Sequence, residues 1–206
     1  MAQRIDTLLF DLGNVLFPFD WEIAVRGFAD KLGRDPAAVR ELLTCPDYAI
    51  LFYEFCTGRI STGRFHRRVN EVLRAEMDLE GLTGIWCSIF REDRGMLEML
   101  KSLAKGRRVF ILSDTDILHW SFLNERYGLE GLIRGAILSF RRGCIKTDKG
   151  TFENIVRDYR LDPERTVFID DLEKNVRLAE GAGMRGVIHR GFPQTRAELE
   201  KLGVTA

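Results

Sequence analysis

Five short apolar runs, with helix-patterned stretches between the later ones, limit the fold of this chain more than any other feature. The first, Ile5 to Phe10 (IDTLLF), reads as a fully buried strand running straight into the turn-prone Asp11-Leu12-Gly13-Asn14. Arg108 to Leu112 (RVFIL), Gly135 to Phe140 (GAILSF), Thr166 to Ile169 (TVFI) and Gly186 to His189 (GVIH) have the same character. Between them apolar residues fall at helical spacing. Met96, Leu97, Leu100 and Leu103 lead to Gly106, Phe152, Ile155, Val156 and Tyr159 repeat the pattern, and Val176, Leu178 and Ala179 run toward Gly183. Strands alternating with helices predict a parallel sheet covered on both faces: an α/β, Rossmann-like doubly wound core.

The alternation is interrupted once. Between the first strand and the second, the sequence carries helical patterns and no convincing strand. Asp20 caps a helix with Trp21, Val25, Phe28 and Leu32, stopped by Gly33. Asp35-Pro36 is a cap and first-turn pair for Val39, Leu42 and Leu43. Asp47 precedes Ile50, Leu51 and Phe55, which Gly58 closes. Ser61 or Thr62 opens a segment with Phe65, Val69, Val72 and Leu73, and Leu82, Ile85, Trp86, Ile89 and Phe90 make the last. The expected layout is therefore an α/β core over 1–17 and 92–206, with a helical cap over 18–91.

Composition narrows the function classes. The 206 residues include 31 Lys plus Arg against 31 Asp plus Glu, so no global charge draws the chain to nucleic acid or an anionic membrane. The uncharged stretch Gly81 to Phe90 is too short to span a bilayer, and Arg4, Asp6 and Asp11 spoil a signal peptide. A cytoplasmic protein is expected. Cys45, Cys56, Cys87 and Cys144 have neither zinc-ligand nor redox-motif spacing and read as free thiols.

In an open parallel sheet, ligands bind beyond the carboxyl ends of the strands. Those ends carry Asp11 and Asn14, then Ser113, Asp114, Thr115 and Asp116, then Lys146, then Asp170 and Asp171. Carboxylates converging on one crevice repel each other unless a cation neutralises them, and hard oxygen ligands suit Mg²⁺. A hydroxyl and an ammonium beside them complete a phosphoryl-transfer set.

FDLGNVL at 10–16, ILSDT at 111–115, Lys146 and VFIDDLEKN at 167–175 resemble, in order, the four motifs of the haloacid dehalogenase-like hydrolase superfamily. The insert resembles that superfamily's C1-type cap. The DLGNV form of the first motif is similar to the branch that includes α-D-glucose-1-phosphate phosphatases. The resemblance implies a Mg²⁺-dependent phosphatase acting on a small phosphorylated metabolite, with a sugar phosphate preferred. By the resemblance, Asp11 matches the nucleophile that forms an aspartyl-phosphate, and Ser113 and Lys146 the catalytic hydroxyl and lysine. Gly13, Asn14, Ser113, Asp114 and Lys146 would bind phosphate. Asp11, the Gly13 carbonyl, Asp170 and Asp171 would bind the metal. The partner implied is a small phosphate ester, not nucleic acid or membrane, and the oligomeric state is open.

Three positions depart from the superfamily pattern. Gly13 stands where phosphatases carry the acid that protonates the leaving group, Asp114 replaces an Asn, and Thr147 follows the lysine in place of Pro. They keep two alternatives open: a C–halogen hydrolase using Asp11 on carbon, and a catalytically impaired binding protein of the same fold. Bland readings stand beside the sharp ones. Asp114 and Asp116 are either turn formers or site residues, His119 either a helix-surface residue or part of the site, and Asn175 helix-facing or supporting. Arg59, Arg64, Arg67, Arg68 and Arg74 read as a solvated helix face, and Arg141-Arg142-Gly143 as a turn between extended pieces.

Overall fold

The computed structural model describes residues 4–205, so residues 1–3 and 206 of the expected core lie outside the described residues. Strand β1, Thr7–Phe10, is followed by five helices: α1 (Trp21–Leu32), α2 (Pro36–Leu43), α3 (Pro46–Cys56), α4 (Thr62–Leu73) and α5 (Leu79–Cys87). The chain continues through α6 (Arg94–Ala104), β2 (Arg108–Ser113), α7 (Ile117–Tyr127), α8 (Leu129–Leu132), β3 (Gly135–Leu138) and α9 (Ser139–Arg142). It ends with α10 (Thr151–Asp158), β4 (Thr166–Asp170), α11 (Glu173–Gly181), β5 (Arg185–Ile188) and α12 (Phe192–Lys201).

The five strands form one parallel sheet in the order β3-β2-β1-β4-β5. Side chains alternate across it, as the pleat requires. Leu8, Phe10, Ile111 and Ile169 face one apolar layer with Met96, Leu100, Trp120 and Leu199. Leu9, Phe110, Leu112 and Phe168 face the other with Phe152, Ile155 and Ala179. Burial on both faces explains why the strands read as continuous apolar runs rather than alternating ones. Helices α1 to α5 gather a separate cluster around Phe28, Phe65, Leu82 and Trp86.

Caps form where the sequence puts them. Asp20 accepts from the Glu22 N–H, Asp35 from Ala37 and Ser61 from Arg64, while Gly33 takes the left-handed conformation that ends α1. Two segments differ from expectation. GAILSF is a strand only to Leu138, because Ser139 turns inward. Its hydroxyl accepts from the Thr115 N–H at 2.9 Å and donates to the Cys56 carbonyl at 2.6 Å. Arg141 and Arg142 consequently lie in the short helix α9, ended by Gly143 at φ 80°, and not in a turn between extended pieces. The third helical segment starts at Pro46, one residue before the expected Asp47. Among the described residues, no helix is long and apolar enough to cross a membrane.

Candidate active site

Strand order reverses at β1, which pairs with β2 on one side and β4 on the other. The crevice at such a switch point, beyond the carboxyl ends of the strands, is where ligands bind in open α/β sheets. Phe10 pairs with Ile169, so the next residues of the two strands, Asp11 and Asp170, emerge side by side. The Asp11 N–H donates to the Ile169 carbonyl at 2.9 Å, which extends the ladder one step and fixes the direction of the carboxylate.

Lys146 reaches between the two acids. Its Nζ lies 2.8 Å from Asp11 Oδ1 and 2.7 Å from Asp170 Oδ2, and it is almost wholly buried. Burial alone would drive the proton off this lysine, but Asp11, Asp170 and Asp114 hold it well above the ordinary lysine range. Asp11 also accepts the Leu12 N–H at 2.7 Å. Burial raises its carboxyl to about 7; the Lys146 ammonium opposes that rise and the Asp170 charge reinforces it.

Asp170 is fully enclosed. Its oxygens accept from Lys146, from the Leu172 N–H at 2.8 Å and from Asn175 Nδ2 at 3.0 and 3.1 Å. Asn175, on the buried side of α11, thus holds Asp170 rather than facing the crevice. Asp171 sits half-buried beside it, and one oxygen from each of Asp11, Asp170 and Asp171 falls within a 4.8 Å cluster. Three carboxylates share one ammonium, an arrangement that a hard divalent cation would neutralise. The donor set of Asp11, Asp170 and Asp171 therefore fits Mg²⁺.

The remaining expected residues fall around this centre. Ser113 ends β2, buried, and lines the same cavity as Gly13. Asn14, at φ 54°, spends its amide on other tasks: Nδ2 donates to Asp171 Oδ2 at 3.1 Å and Oδ1 accepts the Phe19 N–H at 3.3 Å. Asp114 receives the Lys146 backbone N–H on both oxygens, at 2.9 and 3.2 Å, and so ties the lysine loop to the end of β2. That loop is further held by Asp148, which accepts the Ile145 N–H, and by Thr151, which donates to the Ile145 carbonyl. These two supports left no mark in the sequence beyond ordinary turn composition.

Asp116 and His119 are neither turn formers alone nor surface residues. Asp116 is completely buried, caps α7 through the Leu118 and His119 N–H groups, and accepts the Trp86 indole N–H at 3.2 Å. His119 Nδ1 lies 2.9 Å from Asp116 Oδ2 and Nε2 lies 3.0 Å from the Trp86 carbonyl, with the two rings stacked at 5.1 Å. The group joins α7 of the sheet layer to α5 of the insert. Among the described residues the four cysteines are free. Burial pushes the Cys87 thiol up to about 12, which keeps it unreactive. The arginines of α4 lie on its exposed face, as expected.

A parallel sheet whose central strands end in carboxylates around a buried lysine, under a helical roof, defines the class of capped α/β proteins. No protein-family model matches the chain. It is 27% identical over 202 residues to a D-ribitol-5-phosphate phosphatase of Bacteroides thetaiotaomicron, covering 95% of this chain and 97% of that one. A HAD family enzyme of the same organism, crystallised as a point mutant with magnesium and inorganic phosphate, superposes with a TM-score of 0.81 at 24% identity. That superposition covers 90% of this chain and 94% of the other. A HAD-like hydrolase structure from Porphyromonas gingivalis also gives 0.81 at 24% identity, over 98% of this chain and 100% of that one. The chain thus shares the fold of these HAD-like enzymes and is similar in sequence, over nearly its whole length, to a phosphatase.

Proposed function

We propose that this protein is a Mg²⁺-dependent phosphatase that hydrolyses a small phosphate monoester through an aspartyl-phosphate on Asp11. One observation carries the reading: the Asp11 carboxylate at the switch point, paired at 2.8 Å with a buried lysine and clustered with Asp170 and Asp171. The similarity to a polyol-phosphate phosphatase over nearly the whole of both chains supports the same reaction class. The motif-one branch of glucose-1-phosphate phosphatases is the finer assignment, and a sugar phosphate the substrate it favours.

Asp11 Oδ attacks phosphorus, the bond from phosphorus to the ester oxygen breaks, and that oxygen takes its proton from water. A second water then attacks the phosphorus of the aspartyl-phosphate, releasing inorganic phosphate and restoring Asp11. Lys146 and the Ser113 hydroxyl hold the equatorial oxygens as charge builds on them. Asp114, Asp148 and Thr151 position Lys146 through its loop, and Asn175 fixes Asp170. Asp11, Asp170 and Asp171, with the Gly13 carbonyl, would hold Mg²⁺, which would supply the positive charge that lets three carboxylates and a phosphate dianion share one crevice. Residues 18–91 act as a cap that excludes bulk water and reads the leaving group, over a core of 1–17 and 92–206. The working place is the cytoplasm, with neither nucleic acid nor membrane as a partner.

The test is release of phosphate from an aryl phosphate with and without Mg²⁺, in the native protein and in Asp11→Asn. Metal-dependent release that falls by at least roughly 10⁴-fold in the variant is expected, since the amide cannot form the aspartyl-phosphate. Metal-independent release, or release that survives the substitution, would overturn the reading.

A further inference from the structure

Trp21 and Phe52 line two cavities at once. One, of about 170 Å³, opens at Gly13 and Ser113 and is walled by Phe19, Phe90 and His119. The other, of about 360 Å³, is a cleft half open to solvent between α1, α2 and α3 of the insert, where Val25, Leu43, Tyr48 and Trp86 join the two shared rings. Rings, not charged groups, thus stand between the phosphate site and the inner cavity. Trp21 meets Phe19, Phe52 and Trp86 at centroid distances of 5.9, 5.7 and 5.1 Å, yet remains 37% exposed at this junction.

The wall chemistry limits what can enter. The charged side chains of the inner cavity, Glu22 and Arg40, are spent on each other through bonds of 2.8 and 2.6 Å. A polyol lying in this cleft would meet mainly aromatic faces and aliphatic side chains, which offer its hydroxyls few partners. An apolar group gains from the same walls. At about 30 Å³ per heavy atom, the inner cavity has room for roughly a dozen.

We propose that the substrate's leaving group is an apolar alcohol, a chain or ring system that passes Trp21 and Phe52 into the cavity of the insert. The proposal rests on the phosphatase reading above and names the ester that reading leaves open. It differs from the sugar-phosphate expectation, and one experiment separates the two.

That experiment is a series of straight-chain alkyl phosphates, from ethyl to dodecyl and kept below micelle-forming concentrations, with a sugar 6-phosphate alongside. All are primary-alcohol esters, so leaving-group basicity is nearly constant and chain length alone varies. The expected result is a rise in kcat/KM of roughly three- to fourfold per methylene until the cavity fills, the rise that burying one CH₂ gives. The affinity of Asp11→Asn for the same esters should climb with the same slope. Ala49→Trp, on the α3 wall of the cavity, should flatten both series, with a melting curve to show that the variant folds. A flat series in the native protein, or a sugar phosphate preferred over every alkyl ester, overturns the proposal and leaves the phosphatase reading standing. Absence of turnover with all esters, including aryl phosphate, sinks the phosphatase reading. In that event the binding series still decides, because flat affinities reject the apolar site as well.

Discussion

At the scale of single residues, the chemistry divides between groups that would touch phosphate or metal and groups that hold them. Asp171 is half-buried and offers an oxygen to the acidic cluster, whereas Asn175 is buried and donates to Asp170. Replacing Asp171 by Ala removes a ligand oxygen, while Asn175→Ala only loosens one that remains. Calorimetry should show Mg²⁺ binding weakened much more by Asp171→Ala, with a loss of about 10–100-fold expected for the supporting residue; equal losses would contradict the division. Gly13 poses a different constraint. Its own φ is not positive, unlike that of Asn14, so a side chain there meets no backbone penalty. The obstacle is Phe19, whose Cε1 would stand 2.9 Å from a Cβ at position 13. Gly13→Asp should therefore destabilise by about 1–3 kcal/mol through overpacking. In urea melts, Gly13→Asp should cost less in a Phe19→Ala background than in the native one, a double-mutant cycle that isolates the clash. The residue types of the site could be read from the sequence because strand ends are chemically distinctive. Phe19 reads as one of a line of cap-core aromatics with Phe17, Trp21 and Phe52, but its seat over Gly13 does not, because filling the space above a glycine leaves no pattern along the chain.

At the scale of elements, what joins the insert to the sheet layer is polar and buried. Asp116 caps α7, accepts from the Trp86 indole of α5 and faces His119, which reaches back to the Trp86 carbonyl. Removing the carboxylate with Asp116→Ala strands the Trp86 indole, the Leu118 and His119 backbone N–H groups and the His119 ring, and should cost about 3–5 kcal/mol. Trp86→Phe loses one of those hydrogen bonds and a smaller ring's worth of packing, so its penalty should be well below that. Burial alone would raise the Asp116 carboxyl, yet His119 and the bonded N–H groups hold it below the usual carboxylate range. A carboxyl depressed in the folded state contributes stability above its unfolded value near 3.9 and loses it as pH falls through the folded one. The stability difference between native protein and Asp116→Ala should accordingly shrink as pH falls below about 4. A gap that stayed unchanged there would mean that the ionised carboxylate is not what stabilises this junction. Helices opened by Asp20, Asp35 and Ser61 were legible because a side-chain cap and an apolar stripe coincide. The burial of His119 on α7 was not, since the cap of that helix doubles as a buried tether and Trp120, His119 and Leu123 blur the stripe. The end of β3 was equally hidden: Ser139 turns the chain through contacts with Thr115 and Cys56, both distant in sequence.

At the scale of the whole molecule, the sheet order sets the chemistry that remains once the usual leaving-group acid is missing. Reversal at β1 brings Asp11, Lys146 and Asp170 together with few degrees of freedom, so nucleophilic attack and charge stabilisation are provided for. Departure of the ester oxygen is not. At position 13 there is no side chain, and the Phe19 ring occupies the space beside it. Asp116 and His119, which line the same cavity, are spent on Trp86 and on each other. The rate should then depend steeply on how stable the leaving oxygen is as an anion. Since a positioned acid is worth about 10²–10⁴ in rate and helps the most basic leaving groups most, aryl and anomeric phosphates should exceed primary-alcohol phosphates by at least that range. The measurement is kcat for monoesters of graded leaving-group basicity, with a single-turnover burst to show that phosphoryl transfer limits the rate. Esters of matched size keep the cavity's contribution out of the slope. If kcat proves independent of basicity, a proton donor is already in place. Asp114 would then be the group to replace first, because it lies exposed at the rim with its oxygens on the Lys146 N–H, where a small shift would free one for the ester oxygen.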